Sequence, residues 1–254
     1  MADHSAIEWT EATWNPTTGC TKISPGCDRC YAERITQRFP TNFPSGFELT
    51  LRPLALDLPL RWRKPRTIFV NSMSDLFHGD VPDTYIAQVF DVMARCPQHT
   101  FQVLTKRAVR LASLAPQLRW PPHVWMGVSV ESPAYTWRVD YLRKVPAAVR
   151  FISAEPLLAA LPSLNLSGIH WLIAGGESQP GARRADMNWF RDLRDQCVAA
   201  GVGFFLKQLG GHPSKRSGER ALLDGRRWIE PPSTVPSENV IHDVASDRFR
   251  RAEK

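Results

Sequence analysis

Three of the five cysteines, Cys20, Cys27 and Cys30, fall within eleven residues in the spacing C-x6-C-x2-C. Thiolates bind metals and act as nucleophiles, and in a reducing compartment such a cluster serves metal binding or chemistry more often than disulfides. Gly19 before Cys20 and Pro25-Gly26 before Cys27 make a tight loop that can wrap three thiolates round one centre. A helix is expected over residues 28–38, whose first amides stabilise thiolates and donate to cluster sulfides. Structural zinc wants four ligands, and the nearby histidine, His4, lies sixteen residues upstream of Cys20. Iron–sulfur clusters also usually take four cysteines. Three cysteines without an evident fourth ligand point to a [4Fe–4S] cluster with one iron left open. Zinc completed by a distant residue, or three thiols without metal, are the alternatives. Cys96 and Cys197 stand alone in helical patterns and read as small buried apolar residues.

The other candidates stand at the ends of apolar, strand-like runs. Asn71, Ser72 and Asp75 follow the run 67–71, and Thr105-Lys106 the run 101–105. Ser129 and Glu131 come at the end of 124–130, and Ser153 and Glu155 after 150–154. Glu177 follows 171–175, and Lys207-Gln208 end 203–207. Such runs lack polar alternation, which is how strands covered on both faces read. Helical periodicity lies between them, at 82–96, 106–114, 134–144 and 188–200. Strand and helix alternating in this way build a parallel sheet, and sites form at the C-terminal strand edge of such sheets. The expected fold is α/β: a partial (βα)6-type parallel barrel with an N-terminal cysteine loop at 14–33 and an irregular C-terminal extension. A seventh strand is expected near Glu8–Trp14. Residues 40–65, rich in Pro, Leu and Arg, read as an insertion or hairpin inside a domain spanning 1–211. Residues 212–254 read as the extension, with a turn at Leu223–Arg226 and a frayed tail over the last dozen residues.

Composition frames these readings. The 254 residues are 43% hydrophobic and 22% charged, an ordinary globular balance. No apolar stretch approaches the ~18 residues of a membrane helix, so no membrane partner is expected. The first residues carry no secretory signal, and the cytoplasm is the expected compartment. The 32 basic and 25 acidic residues leave a net charge of +7, which permits an anionic partner. Between Asp91 and Glu131 there is no acid, while Arg95, Lys106, Arg107, Arg110 and Arg119 fall there. That window reads equally as a solvated face or as an anion-binding surface.

The stretch Trp14-Asn15-Pro16-Thr17-Thr18-Gly19-Cys20, with Ser24-Pro25-Gly26-Cys27-Asp28-Arg29-Cys30-Tyr31-Ala32-Glu33, resembles the motif of a phage and prophage three-cysteine family. That family looks like a branch of the radical S-adenosylmethionine enzymes. The resemblance extends to about residue 210 through Asn71–Phe77, Leu104–Arg107, Gly127–Ser129, Ser153–Leu157 and Gly175–Ser178. The superfamily's commonest spacing is C-x3-C-x2-C with an aromatic residue before the last cysteine. Here six residues separate the first two cysteines, and Tyr31 follows the third. The resemblance implies a radical-SAM-like partial barrel and an iron–sulfur cluster that cleaves S-adenosylmethionine to a 5′-deoxyadenosyl radical. It implies that Cys20, Cys27 and Cys30 hold the cluster; on that reading Tyr31, Asn71, Ser72, Asp75 and Ser129 are expected to attend the cofactor. Glu155, Glu177 and Lys207 would line the catalytic pocket. The expected partners are an electron donor and a nucleic acid or nucleotide substrate. The competing expectation is a zinc-stabilised nucleic-acid-binding protein in which arginines and the nine tryptophans contact phosphates and bases.

Overall fold

The computed structural model describes residues 5, 7–214 and 216–233. Seven strands form one sheet, every neighbouring pair parallel: β1 (Ala12–Trp14), β2 (Thr67–Val70), β3 (Thr100–Thr105), β4 (Val124–Ser129), β5 (Arg150–Ala154), β6 (Trp171–Gly175) and β7 (Gly203–Gln208). Their order in space is their order in the chain, so each crossover leads to the adjacent position. The expected seventh strand is therefore present, as the short edge β1.

The sheet is curled into a half-barrel. Trp9, which precedes β1, lies with its ring 4.7 Å from Phe69 on β2 and 6.3 Å from Trp171 on β6. In a flat sheet those strands would stand about 19 Å apart. On the concave face Trp9, Phe69, Phe151, Trp171, Ile173 and Phe205 form a separate apolar cluster. Alternate residues of the same strands (Ile68, Val70, Val103, Met126, Val128, Ile152, Leu172, Leu206) join the main core on the convex face. Gly127 makes room for the plug, since a Cβ there would stand 2.4 Å from the Phe151 ring.

Helices cover the convex face: α1 (Tyr31–Arg38), α2 (Leu58–Arg61), α3 (Asp83–Ala94), α4 (Ala108–Leu114), α5 (Arg138–Leu142) and α6 (Met187–Ala200). In α3, Pro82 and Asp83 begin the helix and Ile86, Val89, Phe90 and Met93 recur on one buried stripe. Gly201, at φ 64°, ends α6 in the left-handed conformation. The connection from β5 to β6 has no helix. Pro156, Pro162 and Gly168 interrupt it, and Leu157, Leu161, Leu164, Leu166 and Ile169 cover the core instead. Among the described residues no helix is long and apolar enough to cross a membrane.

Two expectations change in detail. Residues 40–65 are not a hairpin of their own: Thr50–Leu51 pairs antiparallel with Thr17–Thr18, and the Trp14 indole donates to the Ala55 carbonyl at 2.8 Å. The extension is ordered where described. Leu222–Leu223 and Arg226–Arg227 pair antiparallel about the turn expected at Leu223–Arg226, where Asp224 and Gly225 have φ angles of 54° and 78°. Isolated bridges Gln208–Ser217 and Phe205–Ile229 lay this segment along the free edge of β7. The expected frayed tail lies outside the described residues.

Candidate cysteine-loop site at the mouth of the half-barrel

The cysteine loop crosses the C-terminal edge of the sheet, held there by charged strand-end residues. Ser24 Oγ donates to Glu131 Oε1 at 2.6 Å, and Gly26 lies so close that a Cβ would meet the same oxygen at 2.5 Å. Arg29, between Cys27 and Cys30, reaches Glu177 at 3.4 Å. Arg183 donates to both Glu177 oxygens and to the Pro25 carbonyl, and pairs with Asp28 at 3.4 Å. Nearer Cys20, Gly19 N donates to the Met73 carbonyl, and a Cβ on Gly19 would collide with the Glu48 carbonyl. These pulls reshape the expected 28–38 helix. Pro25–Cys27 is a single 3-10 turn, Cys30 is extended (φ −65°, ψ 123°), and α1 starts only at Tyr31. Arg29 turns towards Glu177 rather than continuing a helical face.

All three loop thiols are partly exposed and free, whereas Cys96 and Cys197 are fully buried, as expected. Burial pushes the Cys20 thiol up to about 11, with Asp75 adding to the effect and Arg107 opposing it; Cys27 and Cys30 raise it further. Cys20 thus feels both other thiols, and a bound metal would have to displace its proton. Ser24 Oγ approaches Cys27 Sγ at 3.7 Å. Among the described residues no three His, Cys, Asp or Glu are grouped to hold a metal ion. The histidine close to the loop, His78, is engaged. Its Nδ1 accepts from Asp80 N at 3.2 Å, leaving Nε2 protonated to face Thr21 Oγ1 at 2.8 Å. Burial, then Arg107, lowers its pKa. Three cysteines leave one position of a four-iron cluster, or of a four-coordinate zinc, without a cysteine ligand.

A family described as Protein of unknown function (DUF5131) matches residues 4–232. The chain belongs to that family. The match takes in the cysteine loop, all seven strands and the C-terminal hairpin. No curated protein and no solved structure matches the chain.

The sequence-derived site residues of this DUF5131 chain separate into four groups. Glu155 and Lys207 meet, with Lys207 Nζ 2.6 and 2.8 Å from the two carboxylate oxygens, and Gln208 donating to Oε1 at 3.0 Å. Tyr31 stands nearby: its hydroxyl donates to the Ser72 carbonyl, and burial, Cys30 and Glu155 all raise its pKa. Asn71, Ser72 and Asp75 serve as struts. Asn71, at φ 60°, donates through Nδ2 to Thr17 Oγ1 at 2.8 Å, and Ser72 Oγ donates to Asn15. Asp75 accepts from Thr105 Oγ1 at 2.7 Å and from Phe77 N and Lys106 N. Glu177 is the anchor of the loop rather than a partner of Lys207. Burial pushes its pKa up, but the Arg183 hydrogen bonds and the charges of Arg183 and Arg29 outweigh this and hold it below the ordinary value.

Ser129 introduces a group that the sequence reading left unassigned. Lys106 Nζ donates to Ser129 Oγ at 3.2 Å and lies 3.8 Å from Glu131. Glu131 is fully buried and pairs with Arg138 at 2.7 Å, itself 1% exposed. The sequence signal for Glu131 was its place at a strand end; nothing local marked Arg138, seven residues on. The basic window resolves into struts. Arg107 donates to Thr21 Oγ1 and pairs with Asp75; Arg110 bonds the His78 and Val81 carbonyls and Asp83; Arg95 and Arg119 both meet Asp91. It is neither a bare solvated face nor an open anion surface. All tryptophans but Trp137 are buried or packed on the two apolar clusters, which leaves little for base stacking.

Proposed function

We propose that this protein is a radical S-adenosylmethionine-type enzyme whose Cys20, Cys27 and Cys30 hold a [4Fe–4S] cluster. The observation that carries the reading is the loop itself: three free thiols, with the neighbouring His78 imidazole already engaged, tied by buried charges over the C-terminal mouth of a parallel half-barrel. A cluster bound there would supply the electron that breaks the carbon–sulfur bond of S-adenosylmethionine, giving methionine and a 5′-deoxyadenosyl radical. The chain's own residues position and shield. Glu131 and Glu177 fix the loop through Ser24, Arg29 and Arg183. The aromatic plug closes the other end of the concave face against water. Tyr31 and Ser72 border Cys30, while Asn71, Asp75 and Ser129 hold the walls. Glu155, itself held by Gln208, keeps the Lys207 ammonium at the mouth, where Nζ can carry a proton towards bound substrate or meet an anionic group.

The net charge of +7 permits an anionic substrate, and the candidate is a nucleic acid or nucleotide. The test is anaerobic. Protein purified without oxygen should be brown, contain iron, and after dithionite reduction convert S-adenosylmethionine to 5′-deoxyadenosine; Cys30→Ala should do neither. Colourless protein with stoichiometric zinc, or a loaded cluster that yields no 5′-deoxyadenosine with any reductant, overturns the proposal.

A further inference from the structure

Arg183 and Arg184 are neighbours in the chain with opposite surroundings. Arg183 spends its donors on Glu177, Pro25 and Asp28. Arg184 lines an open cavity of about 550 Å³ beyond the ends of β6 and β7, together with Gly210, Gly211, His212 and Arg216. That volume lies within the roughly 300–1,000 Å³ of small-molecule sites. Among the described residues neither the Arg184 nor the Arg216 guanidinium has a hydrogen-bond or ion-pair partner, and no Asp or Glu lines the cavity. Among the described residues, the charge lining it is positive.

The rim of this cavity touches the cysteine loop. At Gly181, also in the lining, a Cβ would stand 3.3 Å from Arg29 Nε, and Arg29 lies between Cys27 and Cys30. On the other side, Gly210 packs on Gly176 and the Glu177 carbonyl too closely for any side chain. Glu177 thus joins the cavity wall to the anchor of the loop.

Two guanidinium forks present more donors than one carboxylate can accept. A phosphate ester, with several free oxygens and a charge of about −1 to −2, can use both. We infer that this cavity binds a phosphate ester through Arg184 and Arg216, as the anchoring group of a nucleotide or nucleic-acid ligand. That the rest of the ligand extends towards the cysteine loop rests on the function proposed above; the phosphate site itself does not.

The probes are adenosine 5′-monophosphate, adenosine and a single-stranded oligonucleotide, titrated calorimetrically into the full chain. The wild-type protein should bind the monophosphate and not adenosine. Arg184→Gln and Arg216→Asn should each weaken monophosphate binding about tenfold, and the pair together more. Asn suits position 216, which sits at φ 47°. Arg184→Lys should fall between wild type and Arg184→Gln, because it keeps the charge and loses the fork. Arg119→Gln, far along the chain and paired with Asp91, should change nothing.

The oligonucleotide identifies the source of the phosphate. Tighter binding than the monophosphate, with a salt slope that falls by about one for each arginine removed, marks a nucleic-acid chain; binding no tighter marks a free nucleotide. Equal binding of adenosine and its monophosphate, a double variant that binds like wild type, or no binding of either phosphate probe overturns the inference. Iron content and 5′-deoxyadenosine formation are measured on the same preparations. Arginine-dependent phosphate binding without iron leaves this site standing and removes the radical reading. A working cluster without phosphate binding does the reverse.

Discussion

The two ends of the concave face are built from the same strands and do opposite things. Near the N-terminal end, Phe69, Phe151 and Trp171 meet Trp9, and Phe205 meets Trp171, in tilted and edge-on contacts with centroids 4.7 to 6.3 Å apart. Two to four residues further along the same strands stand Asn71, Ser153 and Glu155, Gly175 and Lys207. Each follows the plug at or just beyond a strand end, so the change from plug to site comes within a few residues of the same strands. One end is held by apolar burial, which is non-directional and tolerant. The other is held by buried charges, whose value lies in fixing position and which turn costly when one partner is lost.

The largest effects should come from breaking each end at its centre. Phe151→Ala should cost about 3–5 kcal/mol in denaturant unfolding, through lost transfer energy and the cavity left behind. Arg138→Ala should cost a comparable 3–5 kcal/mol or so, because it strands Glu131 without its partner. The two differ in a second readout. Arg138→Ala should also lower iron retention, since Glu131 holds Ser24 of the loop, whereas folded Phe151→Ala protein should load normally. Equal iron loading in both variants would erase the functional contrast between the ends.

Overpacking should act more weakly. Gly127→Ala places a methyl group 2.4 Å from the Phe151 ring, and thermal unfolding should register about 1–3 kcal/mol.

Acid sharpens the comparison further. The Glu177 carboxyl is held below its ordinary value of 4.5 in the folded chain, so its contribution is present above that pH and is lost as pH falls through the lower folded value. Wild-type stability should therefore fall more steeply below about pH 4.5 than that of Glu177→Gln. The variant itself should cost roughly 1.5–3 kcal/mol at neutral pH, through its hydrogen bonds to Arg183. Parallel pH profiles would mean that the anchor carries no charge-dependent load.

Smallest of all is a charge pair away from either end. Arg119 and Asp91 meet at 2.9 Å with side chains 69% and 47% exposed, and Arg119→Ala should change stability by about 0–1 kcal/mol. A large effect there would show that ion pairing, rather than burial of the pair, separates the two ends.

Much of the scaffold is legible one residue at a time. The apolar runs mark six of the seven strands, because strand residues buried on both faces leave a signature a few residues long. The Asp224-Gly225 turn, the left-handed stop at Gly201 and the cysteine spacing are equally local. Polar residues at the strand ends reveal which edge carries the site. Their partners are another matter. Lys207 reaches Glu155 across 52 residues, Glu131 reaches Ser24 across 107, and Arg29 reaches Glu177 across 148. Such pairs depend on the curl of the sheet and on where the loop closes, and no propensity or period encodes either. The same long-range pull starts α1 at Tyr31 rather than Asp28, and separates Arg183, bound into the anchor, from Arg184, left facing a cavity. Local sequence determined which residues form strands, turns and a thiol loop, since backbone preference and side-chain alternation act over a few residues. Only the tertiary structure decided which charge meets which, because that depends on the distances folding creates between residues far apart in the chain.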